Sequence, residues 1–363
     1  MSKQGIYLLG TMILLIFVGI IMIYSASAIY ADQYFDDSMY FLKRQIIYFF
    51  MGLILCFGAY CIHPDILERH SRVIMLFSIL LLVLVYVPFL SREASGARRW
   101  LRIAQFNFQP AEFSKIALVL YFSAFLKRKI VLMRRGSFIV LLPPLFILSL
   151  LSILIVLQPD LGSVILLFFV TAILFFVAGI RYRYIVAFFL VCSIFFYFAV
   201  IKVPYRMDRI YAFMDPWRDS QGTGFQIIQS FLAFGLGGLR GVGLGSSTQK
   251  LFYLPQAYTD FIYSIIAEEG GLMASSAVIV LYMLLFIQGV LIGIRQMNLF
   301  RRMVAFSLCV LIIFQAILNI FVAMGLIPTK GLPLPFISFG GSSLIVNMIA
   351  IGIILSIDRS RDY

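Results

Sequence analysis

The sequence predicts an all-α integral membrane protein. About ten transmembrane helices are expected, with both termini cytoplasmic and one long extracytoplasmic loop, 202–259, between the seventh and eighth helices. Three observations carry this. Hydrophobic residues make up 62% of the 363 and charged residues 12%, whereas a soluble domain carries about 25% charged residues. Mean hydropathy is +1.02. Apolar runs long enough to cross a bilayer recur along the chain, separated by short polar loops. A soluble fold is excluded. A net charge of +13 on a soluble chain would suggest nucleic acid, but no basic helix or RNA-binding motif stands clear of the apolar segments. No nucleic-acid partner is expected, and anionic lipid or an anionic lipid-linked substrate suits the charge better.

Taken in order, the first helix runs from Ile6 to Ala28. Ser25-Ala26-Ser27-Ala28 faintly resembles a cleavage site, but the run is too long for a signal peptide and reads as a retained helix. An acidic loop with Asp32, Asp36 and Asp37 leads to the second helix, about Tyr40 to Ile62, with Lys43 and Arg44 in its first turn. The loop His63–Arg72 precedes a third helix, about Val73 to Leu90. A basic loop then reaches Pro110, which suits the first turn of a fourth helix ending near Leu126. The basic loop Lys127–Arg135 follows. The fifth helix spans about Phe138 to Leu157, the sixth about Leu161 to Ile180 and the seventh about Tyr184 to Val200. After the long loop, the eighth begins near Asp260, with a break expected at Gly270-Gly271, and continues to about Ile294. The ninth spans about Met303 to Leu326, and the tenth about Ser342 to Ile357. Residues 1–363 read as a single polytopic domain without internal repeats. Cys56, Cys61, Cys192 and Cys309 all fall in apolar runs and read as small core residues. His63 and His70 share a loop with no further ligand pattern, and no metal site is expected.

Ten helices place both termini on one face. Lys and Arg divide almost evenly, fifteen to fourteen, but the compact basic loops fall on the side of the termini, which makes that side cytoplasmic. The other face keeps an unusually basic set: Arg92, Arg98, Arg99, Arg102, Lys115, Arg206, Arg209, Arg218, Arg240, Lys250 and Lys330. A bound pyrophosphate would account for it.

Helix parity starts the fourth, sixth, eighth and tenth helices on the outer face. Their first turns carry Glu112 and Lys115, Asp160, Asp260, and Gly341-Ser342-Ser343. Glu112 and Lys115 lie three apart and share a helix face. With Asp160 they form either a structural ion-pair cluster or a cavity wall, and a lysine between two carboxylates serves both. Asp260 is either a helix N-cap, a task Thr259 could take, or a general base for a sugar hydroxyl. Glu268 and Glu269 follow in the same helix, roughly 12 Å deeper at about 1.5 Å per residue, where ionisable groups are costly and mark function by default. The run Gly235–Gly245 lacks the strand and the Lys-Ser/Thr of a nucleotide loop and reads as flexible or re-entrant. Trp100, between Arg99 and Arg102, is either an interfacial anchor or a stacking platform for a sugar.

The segments GARRWL (96–101), FQPAEFSK (108–115), QPDLGS (158–163), LPQAYTDFIYSIIAEEGG (254–271) and GLIPTKGLPLPFISFGGSS (325–343) together resemble the signature blocks of the SEDS family (FtsW/RodA/SpoVE) of peptidoglycan glycosyltransferases. The blocks stand in order over nearly the whole chain, and the last is closer to the division type than to the elongation type. Two departures are visible. Gln256-Ala257-Tyr258 stands where the family usually shows a Glu and a His, and EEGG stands for the commoner EELG. The resemblance implies a ten-helix fold in the bacterial cytoplasmic membrane and polymerisation of lipid II into glycan on the outer face, with release of undecaprenyl pyrophosphate. It makes Asp260 the catalytic residue. It makes Trp100, Glu112, Lys115 and Asp160 substrate-binding candidates. The residues themselves add Arg98, Arg99, Lys115 and Lys330 as cations for the pyrophosphate and Ser338 and Ser342 as binding candidates, with Arg44, Glu268 and Glu269 in support. The resemblance implies a class B penicillin-binding protein and other division-complex membrane proteins as partners, and a divalent cation, Mg or Mn, is a candidate at the pyrophosphate. A lipid II flippase is the alternative from another class; it needs a polar path between the two faces. Within the family, an elongation-type or sporulation-type member is the alternative to the division type, and the sporulation type shares the same blocks.

Overall fold

Each apolar run becomes a helix in the computed structural model, which describes residues 1–94, 97–103, 106–135, 138–201, 203–251, 254–255 and 257–360. The helices are α1 (Lys3–Phe35), α2 (Tyr40–Cys61), α3 (Pro64–Leu84), α4 (Pro110–Arg135), α5 (Leu142–Val156), α6 (Leu161–Val177), α7 (Tyr182–Ile201), α8 (Pro204–Met214), α9 (Phe225–Gly237), α10 (Ile262–Ile294), α11 (Leu299–Ala323) and α12 (Gly341–Arg359). Seven helices are long and apolar enough to cross a membrane: α1, α2, α5 with its preceding turn, α7, α10, α11 and α12. Between them, α3, α4 and α6 carry more charge or are shorter. α11 forms the centre and packs on α4, α6, α10 and α12, and most of its residues are buried.

Several boundaries depart from expectation for local reasons. Residues 64–72 are helical, not loop. Pro64 occupies the first turn of α3, the His63 side chain caps it and Asp65 favours its positive end. The basic stretch expected as a loop after Leu126 continues α4 to Arg135, because Lys, Arg, Leu and Met are good helix formers. The interval 202–259 contains the helices α8 and α9. Cys61 is exposed, while Cys56, Cys192 and Cys309 are buried. The Ser2 amide and hydroxyl donate to the Asp358 carboxylate at 2.7 and 2.6 Å, so the two ends of the described chain share one face.

The fold is not purely helical. Strands β1 (Ser91–Ala94), β2 (Ala97–Ile103) and β3 (Phe106–Phe108) form an antiparallel sheet in the order β1-β2-β3. β2 is bulged at Arg99: Arg92 pairs with Trp100, but the next residue, Glu93, pairs with Arg98, so strict alternation of faces is broken between Arg98 and Trp100. Leu101 is buried, and Arg98 and Arg102 are exposed.

The expected break in α10 is present. Gly271 adopts φ 64, ψ −164, a backbone region closed to residues with a Cβ. A helix break inside an apolar bundle leaves peptide groups without partners, and irregular backbone survives there only if protein satisfies it. The glycine run does so. Val242 and Gly243 amides donate to the Glu268 and Glu269 carbonyls at 2.9 and 3.0 Å, and Leu272 and Met273 amides donate to the Gly238 and Leu239 carbonyls at 2.9 and 3.3 Å. The approach is too close for side chains: a Cβ on Gly241 would lie 2.2 Å from the Glu269 carbonyl oxygen. A Gly271→Ala variant is expected to lose about 1–3 kcal/mol from the disallowed φ alone. Denaturant unfolding in mixed micelles measures it, and an unchanged midpoint would contradict this reading of the break.

Candidate active site

The starts of α4, α6 and α12 are bonded to one another on the face opposite the termini. The Gln109 amide donates to Ser342 Oγ at 2.9 Å, and its side-chain amide donates to Asp160 Oδ2 at 3.1 Å. Ser342 Oγ donates in turn to the Asn107 carbonyl at 3.1 Å. Asp160 caps α6 by accepting from the Ser163 amide at 3.0 Å and the Ser163 hydroxyl at 2.8 Å. One layer deeper, Lys115 Nζ lies 2.7 Å from Glu112 Oε2, both side chains being 2% exposed. Lys115 also donates to Gln315 Oε1 at 3.0 Å, and Gln315 donates to the Pro333 carbonyl and Ser343 Oγ at 3.0 and 3.3 Å. The expected lysine between two carboxylates is therefore corrected. Lys115 pairs with Glu112, while Asp160 is held by neutral donors. The pair is enclosed and clamps α4 to α11 and α12.

Asp260 sits where three segments meet. Its carbonyl accepts from Asn319 Nδ2 at 2.9 Å, and the same amide donates to the Leu332 carbonyl at 2.8 Å. The Thr259 carbonyl accepts from Ser338 Oγ at 2.6 Å, and the Phe339 amide donates to the Tyr258 carbonyl at 3.0 Å. Every one of these bonds holds backbone. Helix α10 begins only at Ile262, and its N-cap position is Phe261, whose side chain makes no cap bond. Asp260 is therefore not the N-cap residue. The Asp260 carboxylate, with no hydrogen bond or ion pair among the described residues, stays available. Burial pushes its acid up to about 6 against the opposing pull of Arg209 and Arg99.

The surrounding cations are held unequally. Arg99 donates to the Gln158 and Pro159 carbonyls at 2.9 and 2.7 Å, which fixes the guanidinium beside the start of α6. Arg209 in α8 donates to the Thr329 carbonyl at 3.3 Å. Lys330 follows Thr329 directly; it is half-buried, has no hydrogen bond or ion pair among the described residues, and burial holds its ammonium below the usual lysine value. Gly331 is so close to Asp260 that a Cβ there would lie 3.7 Å from Oδ2. Arg98 is exposed, and Arg99 and Trp100 are half-buried. Ser338 is buried and spent on backbone. Arg44 lies over the Tyr40 ring, 4.4 Å from its centroid, on α2. Tyr258, where the resemblance leads one to expect a His, packs on Phe41 and Tyr30 with ring centroids 4.4 and 5.7 Å away; Gln256 lies outside the described residues.

Arg209, Gln315 and Asn319 were not singled out from the sequence as site residues. The amides at 315 and 319 stand four apart on an otherwise apolar helix, one face of α11, and that polar pair was a readable signal. Arg209 carried none beyond its sign, because α8 was read as loop.

A groove of about 190 Å³ runs from Asn107 and Ser342 along Tyr48, Met51, Phe113 and Ile349. It is polar at the site end and apolar below. A larger cavity of about 280 Å³ between α5, α6 and α7 is lined by Leu148, Phe168, Phe175 and Phe188 among others and contains no carboxylate or cation. Among the described residues no three His, Cys, Asp or Glu side chains converge as a metal site. Arg209 and Arg99 act on Asp260, and no second carboxylate joins it. That donor set does not fit a divalent cation held by the protein, and no step is assigned to one.

The helical membrane bundle thus holds on one face a carboxylate, Asp260, on which Arg209 and Arg99 act. The chain matches the family model FTSW_RODA_SPOVE, described as cell cycle protein, over residues 6–363. It is 41% identical over 342 residues to the "Probable peptidoglycan glycosyltransferase FtsW" of Geobacter sulfurreducens, covering 93% of this chain and 91% of that one. It is 39% identical over 354 residues to the stage V sporulation protein E of Bacillus subtilis, covering 97% and 96%. Among solved structures it resembles a chain described under the structural coordination of polymerization and crosslinking by a peptidoglycan synthase complex, at 28% identity and TM-score 0.80 over 98% and 97% of the two chains. The fold is also that of the rod shape determining protein RodA of Thermus thermophilus, at 24% identity and TM-score 0.72 over 98% and 97%. The chain belongs to the FtsW/RodA/SpoVE family, and it is a multi-pass protein of the bacterial inner membrane.

Proposed function

We propose that the chain is a peptidoglycan glycosyltransferase that polymerises lipid II on the outer face of the membrane, in septal wall synthesis. The observation that carries this reading is Asp260: its backbone is pinned by Asn319, Ser338 and Phe339, while its carboxylate is left without a partner. A base must be positioned yet unspent, and its pKa should approach the working pH. Asp260 takes the proton from the acceptor sugar hydroxyl as the oxygen attacks the anomeric carbon of the other substrate. The bond to the pyrophosphate breaks, and undecaprenyl pyrophosphate leaves with the electron pair. Arg99, Arg209 and Lys330 supply positive charge for that leaving group. The groove below Ser342 suits a prenyl chain. Trp100 and Arg98, on either side of the bulge in β2, suit a sugar and a phosphate of an arriving substrate. A class B penicillin-binding protein and other division-complex proteins are the partners proposed, with no nucleic acid.

The flippase reading requires polar groups along a path to both faces. The deep carboxylates Glu268 and Glu269 were its support. Both are spent on internal partners, which leaves them no free role in passing a headgroup.

The test is purified protein with a matching penicillin-binding protein and labelled lipid II in detergent, where no membrane separates two compartments. Glycan polymer on a gel is expected. Lipid II translocation in vesicles without any polymer in detergent would leave the transporter.

A further inference from the structure

Below the site lies a second buried ionic cluster that touches neither Asp260 nor its cations. Glu268 and Glu269 are 0% and 1% exposed. A buried carboxylate is costly unless fully bonded. Glu268 accepts from the Ser247 hydroxyl, from the Thr248 amide and hydroxyl at 2.8 and 2.9 Å, and from the Gln249 amide at 3.4 Å. Glu269 accepts from Lys250 Nζ at 2.9 Å and from Ser25 Oγ of α1 at 2.7 Å. The Lys250 side chain is 6% exposed. Three segments therefore meet on two adjacent carboxylates: α1, the turn 247–250, and α10 just before its break. The peptide bonds from Val242 and Gly243 to Glu268 and Glu269 join the glycine run to the same point.

Between Lys250 and Asp260 the described residues are 251, 254–255 and 257–259. The Leu254 amide donates to the Gln249 carbonyl at 2.9 Å, Leu254 and Ala257 are buried, and Tyr258 packs among Tyr30, Phe41 and Phe339. The strand of loop carrying Asp260 is thus held at its top by Ser338 and Asn319 and at its foot by the carboxylates. We propose that Lys250, Glu268 and Glu269 are positioning residues: they lock the foot of the catalytic loop to α1 and α10 and so set where Asp260 meets the acceptor hydroxyl. This rests on the reading of Asp260 as the base. The cluster contacts no substrate, so its loss misplaces the base without removing binding surface.

The test uses the full chain with its penicillin-binding partner and compares wild type, Lys250→Met, Glu269→Gln and the exchanged pair Lys250→Glu with Glu269→Lys. Because breaking a buried pair costs stability, two arms are read. In the kinetic arm, each single variant is expected to lose at least about tenfold in kcat with KM for lipid II held within about twofold, and the exchanged pair is expected to regain most of the loss. A rise in KM at constant kcat, or an unchanged kcat, would overturn the proposal. In the structural arm, hydrogen exchange over 241–260 is followed in detergent, which requires no activity. Faster exchange in Lys250→Met that extends to residues 257–260 is expected; exchange that speeds up only over 241–250 would overturn it. If the wild type makes no polymer, the reading of Asp260 fails in the kinetic arm, while the mechanical coupling is still judged by exchange.

Discussion

Asp260→Asn is expected to lower the kcat of polymerisation by about 10²–10⁴-fold, the usual contribution of a positioned general base, with the protein folded and lipid II still bound. The expectation follows from how the residue is held. Asn319, Ser338 and Phe339 grip the backbone around Asp260, and none of them uses the carboxylate. Asparagine is nearly isosteric, so the loop and its bonds survive the change, and what is lost is the capacity to accept a proton. Measuring kcat and KM separately, with the melting midpoint alongside, checks it. A loss carried by KM would make the residue a binding group.

Breaking the Glu112–Lys115 pair is expected to have the largest effect on stability. Each partner is 2% exposed, so Glu112→Gln leaves a buried ammonium facing neutral amide oxygens and no carboxylate among the described residues. Removing one partner of a buried pair costs about 3–5 kcal/mol, whereas replacing both with apolar residues of similar volume is often near neutral. Unfolding in mixed micelles should show Glu112→Gln and Lys115→Met each strongly destabilised, and Glu112→Leu with Lys115→Met much closer to wild type. If the double variant falls as far as the singles, the pair contributes attraction beyond mutual compensation. If the singles are unaffected, Lys115 is reached by water.

Much of this was legible in the sequence, and what was not has physical reasons. Apolar runs fix helices in a membrane because backbone groups in hydrocarbon must be satisfied within the segment; hence α1, α2, α10, α11 and α12 fall close to where the pattern puts them. Outside the hydrocarbon that constraint lapses. The segment Ala97–Ile103 pairs with strands on both sides, yet the bulge at Arg99 interrupts its period-2 pattern, and in a basic loop it reads as charge alone. For the same reason α8 was taken as loop and Arg209 was counted only as one more outer cation. Parity placed Glu112, Asp160, Asp260 and Ser342 near one face, but only coordinates show that Lys115 turns to Glu112 and Gln315 while Asp160 turns to Gln109 and Ser163. The partners of Glu268 and Glu269 lie about twenty residues earlier and, through Ser25, in the first helix. No local pattern announces a contact of that range.

The most direct test of the account is the pH dependence of kcat/KM for polymerisation, because a base works only when deprotonated. With the Asp260 acid raised to about 6, the wild-type rate is expected to fall as pH drops through about 6 and to level off above it. The residual rate of Asp260→Asn should not show that limb. A wild-type rate that stays flat from pH 5 to 8, or a limb near 6 that persists in Asp260→Asn, would contradict the assignment of Asp260 as the base.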